Sequence, residues 1–194
     1  MTSAFAQPEM SKWKFQMSVG VNFPENTGFF NPYEPNAVNF PTINLGVQHM
    51  FKEDLGLKLD LGYNRFSSAD NAPEFKTNYT RLNVQLVYDA TKTISFLPPH
   101  TGLVAHIGPG LSFMKPLGNF TENKEMYLNL LGGIEFHYGI TDTVSVFSDL
   151  SYIYGLYGDK EFTTAFQSFG VFRGSLFAVS LGISVSLSGC QFCE

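Results

Sequence analysis

Few residues of this chain have chemistry to offer, and their spacing limits what they can do. Cys190-Gln191-Phe192-Cys193 is a C-x-x-C pattern close to the C-terminus. Two thiols at that spacing can close a disulfide, serve as a redox pair or supply half of a zinc site. Redox work needs the pattern at the start of a helix in a strand–helix–strand setting, and zinc needs further ligands. Neither accompanies Cys190 and Cys193, so in an exported chain they read as a local disulfide or a crosslink to a partner. Leu187-Ser188-Gly189-Cys190 imitates a lipoprotein cleavage box, but at the wrong end of the chain. His49, His100, His106 and His137 show no ligand spacing, so neither a metal nor a cofactor is expected. Asp149 and His137 could be combined with several serines into a hydrolase triad. Their positions say only that they share one interior with many other polar groups.

That interior follows from alternation. From Phe177 to Leu187 the apolar residues Phe177, Val179, Leu181, Ile183, Val185 and Leu187 share one face, while Ala178, Ser180, Gly182, Ser184 and Ser186 share the other. Strict period two is a strand signal, and a strand of this length can cross a bilayer core obliquely. Seven more segments repeat the plan, within 13–23, 43–51, 55–64, 80–88, 103–113, 128–138 and 144–154. In the first, Trp13, Phe15, Met17, Val19, Val21 and Phe23 oppose Lys14, Gln16, Ser18, Gly20 and Asn22. In the fifth, Pro109 cannot donate to a ladder and predicts a bulge or a local break. The pattern gives an all-β fold, an eight-stranded antiparallel up-and-down transmembrane β-barrel, with apolar side chains facing lipid.

Composition agrees. The 194 residues carry a net charge of -5, with 15% charged and 15% aromatic residues, and there is no basic run to hold phosphates, so a nucleic-acid partner is not expected. No stretch reaches the roughly 20 apolar residues of a transmembrane helix, while the mean hydropathy near zero suits alternating strands. Ser3-Ala4-Phe5-Ala6 followed by Gln7 reads as the tail of a signal peptide with an A-x-A cleavage site. The expected organisation is therefore a signal remnant and tail over residues 1–11, a barrel over 12–187 and a periplasmic tail over 188–194.

The connections 24–39, 67–76, 115–125 and 155–172 are long, and those between them are shorter, except for 89–100 with its Leu97-Pro98-Pro99. Bacterial barrels put short turns in the periplasm and long loops outside, which for eight strands leaves both termini periplasmic. In hydrocarbon an open edge is not viable, so the first strand must pair with the last. Eight strands enclose a space that side chains can fill. Lys14, Lys58, Arg81, Asp60, Glu135 and Asp149 fall on the inward face, with His106 and His137 nearby, and predict an interior charge network that blocks bulk flow. Truncating Arg81 should leave an acid unpaired. Trp13, Phe23, Phe51, Tyr63, Tyr79, Tyr88, Phe113, Tyr138 and Tyr154 lie near strand ends and predict an aromatic girdle at the membrane–water boundary.

On these features the chain resembles the eight-stranded transmembrane domain of the OmpA-like family of bacterial outer-membrane proteins. The resemblance covers Lys12 to Leu187, and its local motif is Ser180, Gly182, Val185 and Leu187. These match the closing-strand insertion signal of that class, which the barrel assembly machinery reads, with Leu187 where an aromatic is common. The resemblance implies a bacterial outer-membrane location, outer-membrane lipid as the solvent of the wall, and outer-membrane protein partners. Many relatives in that family carry a peptidoglycan-binding domain after the barrel; the seven residues after Leu187 are too few to hold one, so the resemblance does not extend to cell-wall anchoring.

Three functions compete. The first is a non-enzymatic barrel that acts as an envelope structural protein or as a subunit of a larger outer-membrane complex. The second is a barrel enzyme acting on lipid or peptide, although the long loops contain no histidine. The third is a lipocalin-like carrier, a fold that would turn the apolar faces inward.

Overall fold

The computed structural model describes residues 13–94, 96–118, 121–157 and 169–187. Eight strands account for most of them: β1 (Trp13–Pro24), β2 (Asn39–Met50), β3 (Leu55–Ser67), β4 (Lys76–Asp89), β5 (Thr101–Pro116), β6 (Glu125–Gly139), β7 (Val144–Leu156) and β8 (Leu176–Ser186). Each pairs antiparallel with the next, and the sheet closes through β1 and β8, with partners running from Lys14↔Ser186 to Pro24↔Leu176. Closure leaves no strand edge to be satisfied by lipid.

Several strands outrun their alternating segments at the long-loop end. β5 runs for 16 residues and β4 for 14. Alternation fades there because the outward positions become polar while backbone pairing continues. Arg65, Asn78 and Tyr63 form one such outward cluster, in which Arg65 Nε donates to Asn78 Oδ1 at 3.1 Å and Tyr63 Oη donates to the same oxygen at 2.8 Å. The wall thus projects past its apolar band on that side.

Pro109 interrupts the ladder to β4 without shifting it. Asn83↔Gly110 and Leu86↔Ile107 keep one register across the gap, and pairing to β6 continues through Pro109↔Leu130. Of the two outcomes open from the sequence, a local break is the one adopted. A register shift lies elsewhere, between Gly20 and Asn22 on β1 against β2.

The tight connections close as hairpins, with Phe51 N–H bonded to Leu55 O at 3.0 Å and Ile140 N–H to Val144 O at 2.9 Å. At the same end the 89–100 connection is tied to its neighbour by Lys92 and Glu53, 2.7 Å apart and exposed, a pair worth little in water. At the other end, loop segments turn into the barrel mouth. Phe29 bridges Phe172, and Pro35 bridges Ser68.

Candidate functional site: the filled interior and the apolar wall

Period two sends alternate side chains outward, and the outward set is apolar. Phe15, Met17, Leu45, Leu57, Leu59, Leu61, Val84, Leu86, Ile107, Leu130, Leu181 and Ile183 are all exposed, Leu59 by half of its surface. Trp13, Phe51, Tyr88, Phe113, Tyr138 and Tyr154 are likewise exposed near strand ends. Tyr79 is not, and the girdle loses it. With 1% exposure it lies inside the barrel, because it shares parity with the inward residues Arg81 and Asn83 and not with Thr80 and Leu82. Its hydroxyl meets Ser112 Oγ at 2.7 Å.

The inward set divides into two zones. The zone nearer the short turns is polar and charged, and Lys14, Lys58, Asp60, Arg81, Glu135, His137 and Asp149 are all buried in it. Glu135 on β6 is its hub. Lys58 Nζ reaches Glu135 Oε1 at 2.6 Å, while Gln16 Nε2 at 2.8 Å and His137 Nε2 at 2.7 Å both reach Oε2. Arg81 Nη2 lies 3.4 Å from Asp60 Oδ2 and donates to Asn44 Oδ1 at 2.8 Å. Arg81 Nε and Nη1 make no hydrogen bond. Gly62 leaves the space for this guanidinium, since a Cβ there would overlap Nη1. His106 Nε2 stands 3.4 Å from Asp149 Oδ2, and Asp149 Oδ1 accepts the hydroxyl of Ser151. Neutral pairs lie among and beyond these charges: Asn83 donates to Asn129 at 2.6 Å and Asn129 to Ser112 at 2.9 Å, and Asn22, Thr42 and Asn64 are bonded to one another.

The zone nearer the long loops is a hydrophobic core that the alternation did not reveal. Phe29, Tyr33, Phe66, Phe75, Tyr79, Met114, Tyr127, Leu131, Ile153, Phe172 and Leu176 form one buried cluster. Phe172 sits at its centre, its ring 4.8 Å from Phe29 and 4.9 Å from Phe66. Beside it Arg173 makes a two-pronged bond to Glu125, Nε to Oε2 at 2.7 Å and Nη2 to Oε1 at 2.6 Å. Several members of the cluster come from loops, where no periodicity marks a residue as inward. The dense loop aromatics were the only available signal.

A triad built on Asp149 and His137 does not form. His137 instead links Ser145 Oγ, at 3.3 Å from Nδ1, to Glu135, while Asp149 belongs to His106 and Ser151. A Ser145–His137–Glu135 relay has the connectivity of a hydrolase site, but Ser145 is only 3% exposed and Glu135 is already neutralised by Lys58. A nucleophile needs room for the group it attacks.

The four residues of the proposed insertion signal divide by parity. Ser180 and Gly182 face inward, with Ser180 Oγ bonded to Ser18 Oγ at 3.0 Å, and a Cβ on Gly182 would meet Phe147 Cζ at 2.7 Å. Val185 and Leu187 face out and are exposed. Cys190 and Cys193 lie outside the described residues, as do the first twelve residues with the Ala4–Ala6 cleavage pattern.

An apolar exterior around a polar and aromatic filling inverts a soluble protein and a lipocalin alike. It defines a transmembrane β-barrel of eight strands. No protein-family model matches the chain, and no curated protein matches it in sequence. Solved structures do match in fold. Neisserial surface protein A superposes with a TM-score of 0.65 at 12% identity, covering 91% of this chain and 98% of that one. A major outer membrane protein from Thermus thermophilus gives 0.57 at 13%, covering 89% and 98%. The N-terminal β-barrel domain of Pseudomonas aeruginosa OprF gives 0.51 at 10%, covering 89% and 96%. The fold is that of the small eight-stranded outer-membrane barrels.

A charge placed on the wall tests the lipid assignment. Leu59 pairs with Val47 and Val84 in the middle of the apolar band. Leu59→Arg is expected to cost about 2 to 4 kcal/mol of stability in vesicles, and Thr80→Arg, on the same outward face beside Tyr63 at the edge of the band, at most about 1. Equal costs by urea titration would remove the membrane from the account.

Proposed function

We propose that this chain is a non-enzymatic outer-membrane barrel that acts through its surfaces, as an envelope structural protein or as a subunit of a larger outer-membrane complex. The observation that carries this reading is a lumen filled from end to end. The Lys58–Glu135 network closes one half, and the aromatic cluster around Phe172 closes the other. A filled lumen leaves the wall and the rims as working surfaces. On the wall, a shallow groove of about 870 Å³ runs over β8 and β1–β4 between Met17, Leu45, Leu59, Leu61, Leu181 and Ile183. Acyl chains of outer-membrane lipid fill it in this reading. The short turns and both termini face the periplasm, and the barrel assembly machinery engages β8 through Ser180, Gly182, Val185 and Leu187.

Reconstituted into planar bilayers, the folded protein is expected to give no steady conductance, and a stable open channel would overturn the sealed-lumen reading. Boiled and unboiled samples are expected to migrate differently in detergent gels, because the closed barrel resists unfolding until heated. Copurification from native membranes separates the two roles: a stoichiometric protein partner marks a complex subunit, and its absence marks a free-standing structural barrel.

A further inference from the structure

At the long-loop end, the bases that the strands turn outward are confined to one side of the barrel. β2, β7 and β8 contain no lysine or arginine, and the one in β1, Lys14, is buried in the lumen. β3, β4 and β5 carry Arg65, Lys76 and Lys115 on the outward parity at that end, and Lys124 stands just before β6. The three lysines are exposed and Arg65 is half-buried. None of these bases forms an ion pair among the described residues, although Glu74 and Glu122 lie two positions from Lys76 and Lys124. Bases that only anchor a barrel in the interface have no need to share a side, so their confinement calls for a local reason.

The register gives the patch a centre. Asn78 pairs with Arg65 on one side and with Lys115 on the other, and Lys76 lies two residues along the same face. Directly opposed side chains on one face start about 4.5 to 5.5 Å apart, so the bases on both sides reach the space over Asn78. The orientation of that amide is fixed by its neighbours. Its Oδ1 accepts from Arg65 Nε at 3.1 Å and from Tyr63 Oη at 2.8 Å, while Arg65 Nη2 donates to Tyr63 Oη at 2.8 Å. Asn78 Nδ2 and Arg65 Nη1 remain as donors without a partner among the described residues. The space over Asn78 is therefore ringed by amide, guanidinium and ammonium donors, the complement of an anion with several acceptor oxygens.

Next to the patch the wall turns apolar without a break. Tyr63, Thr80 and Phe113 form the adjoining row, and Leu61, Leu82 and Leu111 the one after it. The small Thr80 between two rings opens a path from the donors to the leucines. We propose that Arg65, Lys76, Asn78 and Lys115 bind the phosphomonoester headgroup of a membrane lipid whose acyl chains run over Thr80 and Leu82. A phosphomonoester carries about 1.5 to 2 negative charges and three acceptor oxygens at neutral pH, which suits several bases around one amide. Continuity of the donors with the apolar rows selects a lipid over a soluble phosphate. The inference rests on the outer-membrane reading and goes beyond it by giving one face of the wall a lipid class.

The test titrates the folded full-length chain in nonionic detergent with phosphatidic acid and counts bound lipid by native mass spectrometry. One phosphatidic acid per chain is expected, held at least about tenfold more tightly than phosphatidylcholine. Arg65→Gln combined with Lys115→Gln should abolish this preference. So should Asn78→Asp, which keeps the shape of the side chain and replaces the free donor with an acid. Lys52→Gln combined with Lys92→Gln removes the same charge at the short-turn end and should leave the preference unchanged. Unboiled migration reports whether each variant has folded, and either of the first two suffices. Equal affinity for phosphatidylcholine, or a preference that survives both sets of substitutions, overturns the site. Glycerol 3-phosphate competing as well as the lipid would overturn the lipid assignment, leaving a soluble phosphate as the ligand. A chain that stays in solution without amphiphile overturns the membrane reading and this inference with it, whereas one that needs amphiphile but shows no preference overturns this inference alone.

Discussion

Replacing Lys58 with methionine is expected to lower the unfolding free energy by about 3 to 5 kcal/mol, the range for removing one partner of a buried ion pair. Methionine keeps much of the unbranched stem and withdraws only the ammonium, so lost packing contributes little. What remains is Glu135, fully enclosed, with a neutral amide from Gln16 and an imidazole from His137 bonded to its other oxygen. Adding Glu135→Gln should recover a large part of the loss, because removing both charges is far cheaper than stranding one. Denaturant unfolding followed by Trp13, the sole tryptophan, provides the measurement. A shift below about 1 kcal/mol for Lys58→Met, or no recovery in the double variant, would show that the pair is not the hub.

Arg81→Met should cost less than Lys58→Met. Sequence parity alone made Arg81 the obvious residue to truncate, since an arginine in a narrow lumen must find an acid. The contacts rank the two differently. Arg81 meets Asp60 through one nitrogen at 3.4 Å, shares that nitrogen with Asn44, and leaves Nε and Nη1 without bonds, whereas Lys58 and Glu135 are in direct contact at 2.6 Å. Pair strength falls with distance and with poor alignment.

Alternation made the wall legible. Each strand from Trp13 to Leu187 could be placed, and the inward side of Lys14, Lys58, Asp60, Arg81, Glu135, His137 and Asp149 followed from parity, since one residue's step reverses the face. Pairing within the lumen was not legible, because it depends on closure: Lys58 and Glu135 are 77 positions apart and meet across the lumen. Tyr79 shows a second limit. Position near a strand end suggested the girdle, while its parity with Arg81 required the interior, and parity is the stronger constraint because it is set by the backbone. The loop aromatics show a third, since Phe29, Tyr33, Phe75 and Phe172 lie outside the runs of clear alternation and carry no facing information. Their burial follows from the wall projecting past the apolar band, which creates a cup that only loop side chains can fill.

That cup makes Phe172→Ala the second large effect. Phe172 is fully buried, bridges to Phe29 through the backbone, and stacks among Phe29, Phe66 and Tyr79. Cutting it to alanine removes the ring against which Phe29, Phe66 and Tyr79 pack, with an expected loss of about 3 to 5 kcal/mol. The Lys58–Glu135 network lies in the other zone, so the barrel should still close and still migrate differently when unboiled. Opening should be local, and trypsin can read it. Arg173, next in sequence, is shielded by its two bonds to Glu125 and by the ring of Phe30, 5.9 Å from its guanidinium carbon. Cleavage after Arg173 should be slow in the parent and fast in Phe172→Ala, because proteolysis follows the population of locally opened chain. Rapid cleavage of the parent at that bond would mean the aromatic cluster does not hold the loops. Equal stability of the two proteins would mean that the rings contribute no packing energy and that the charged zone alone maintains the fold.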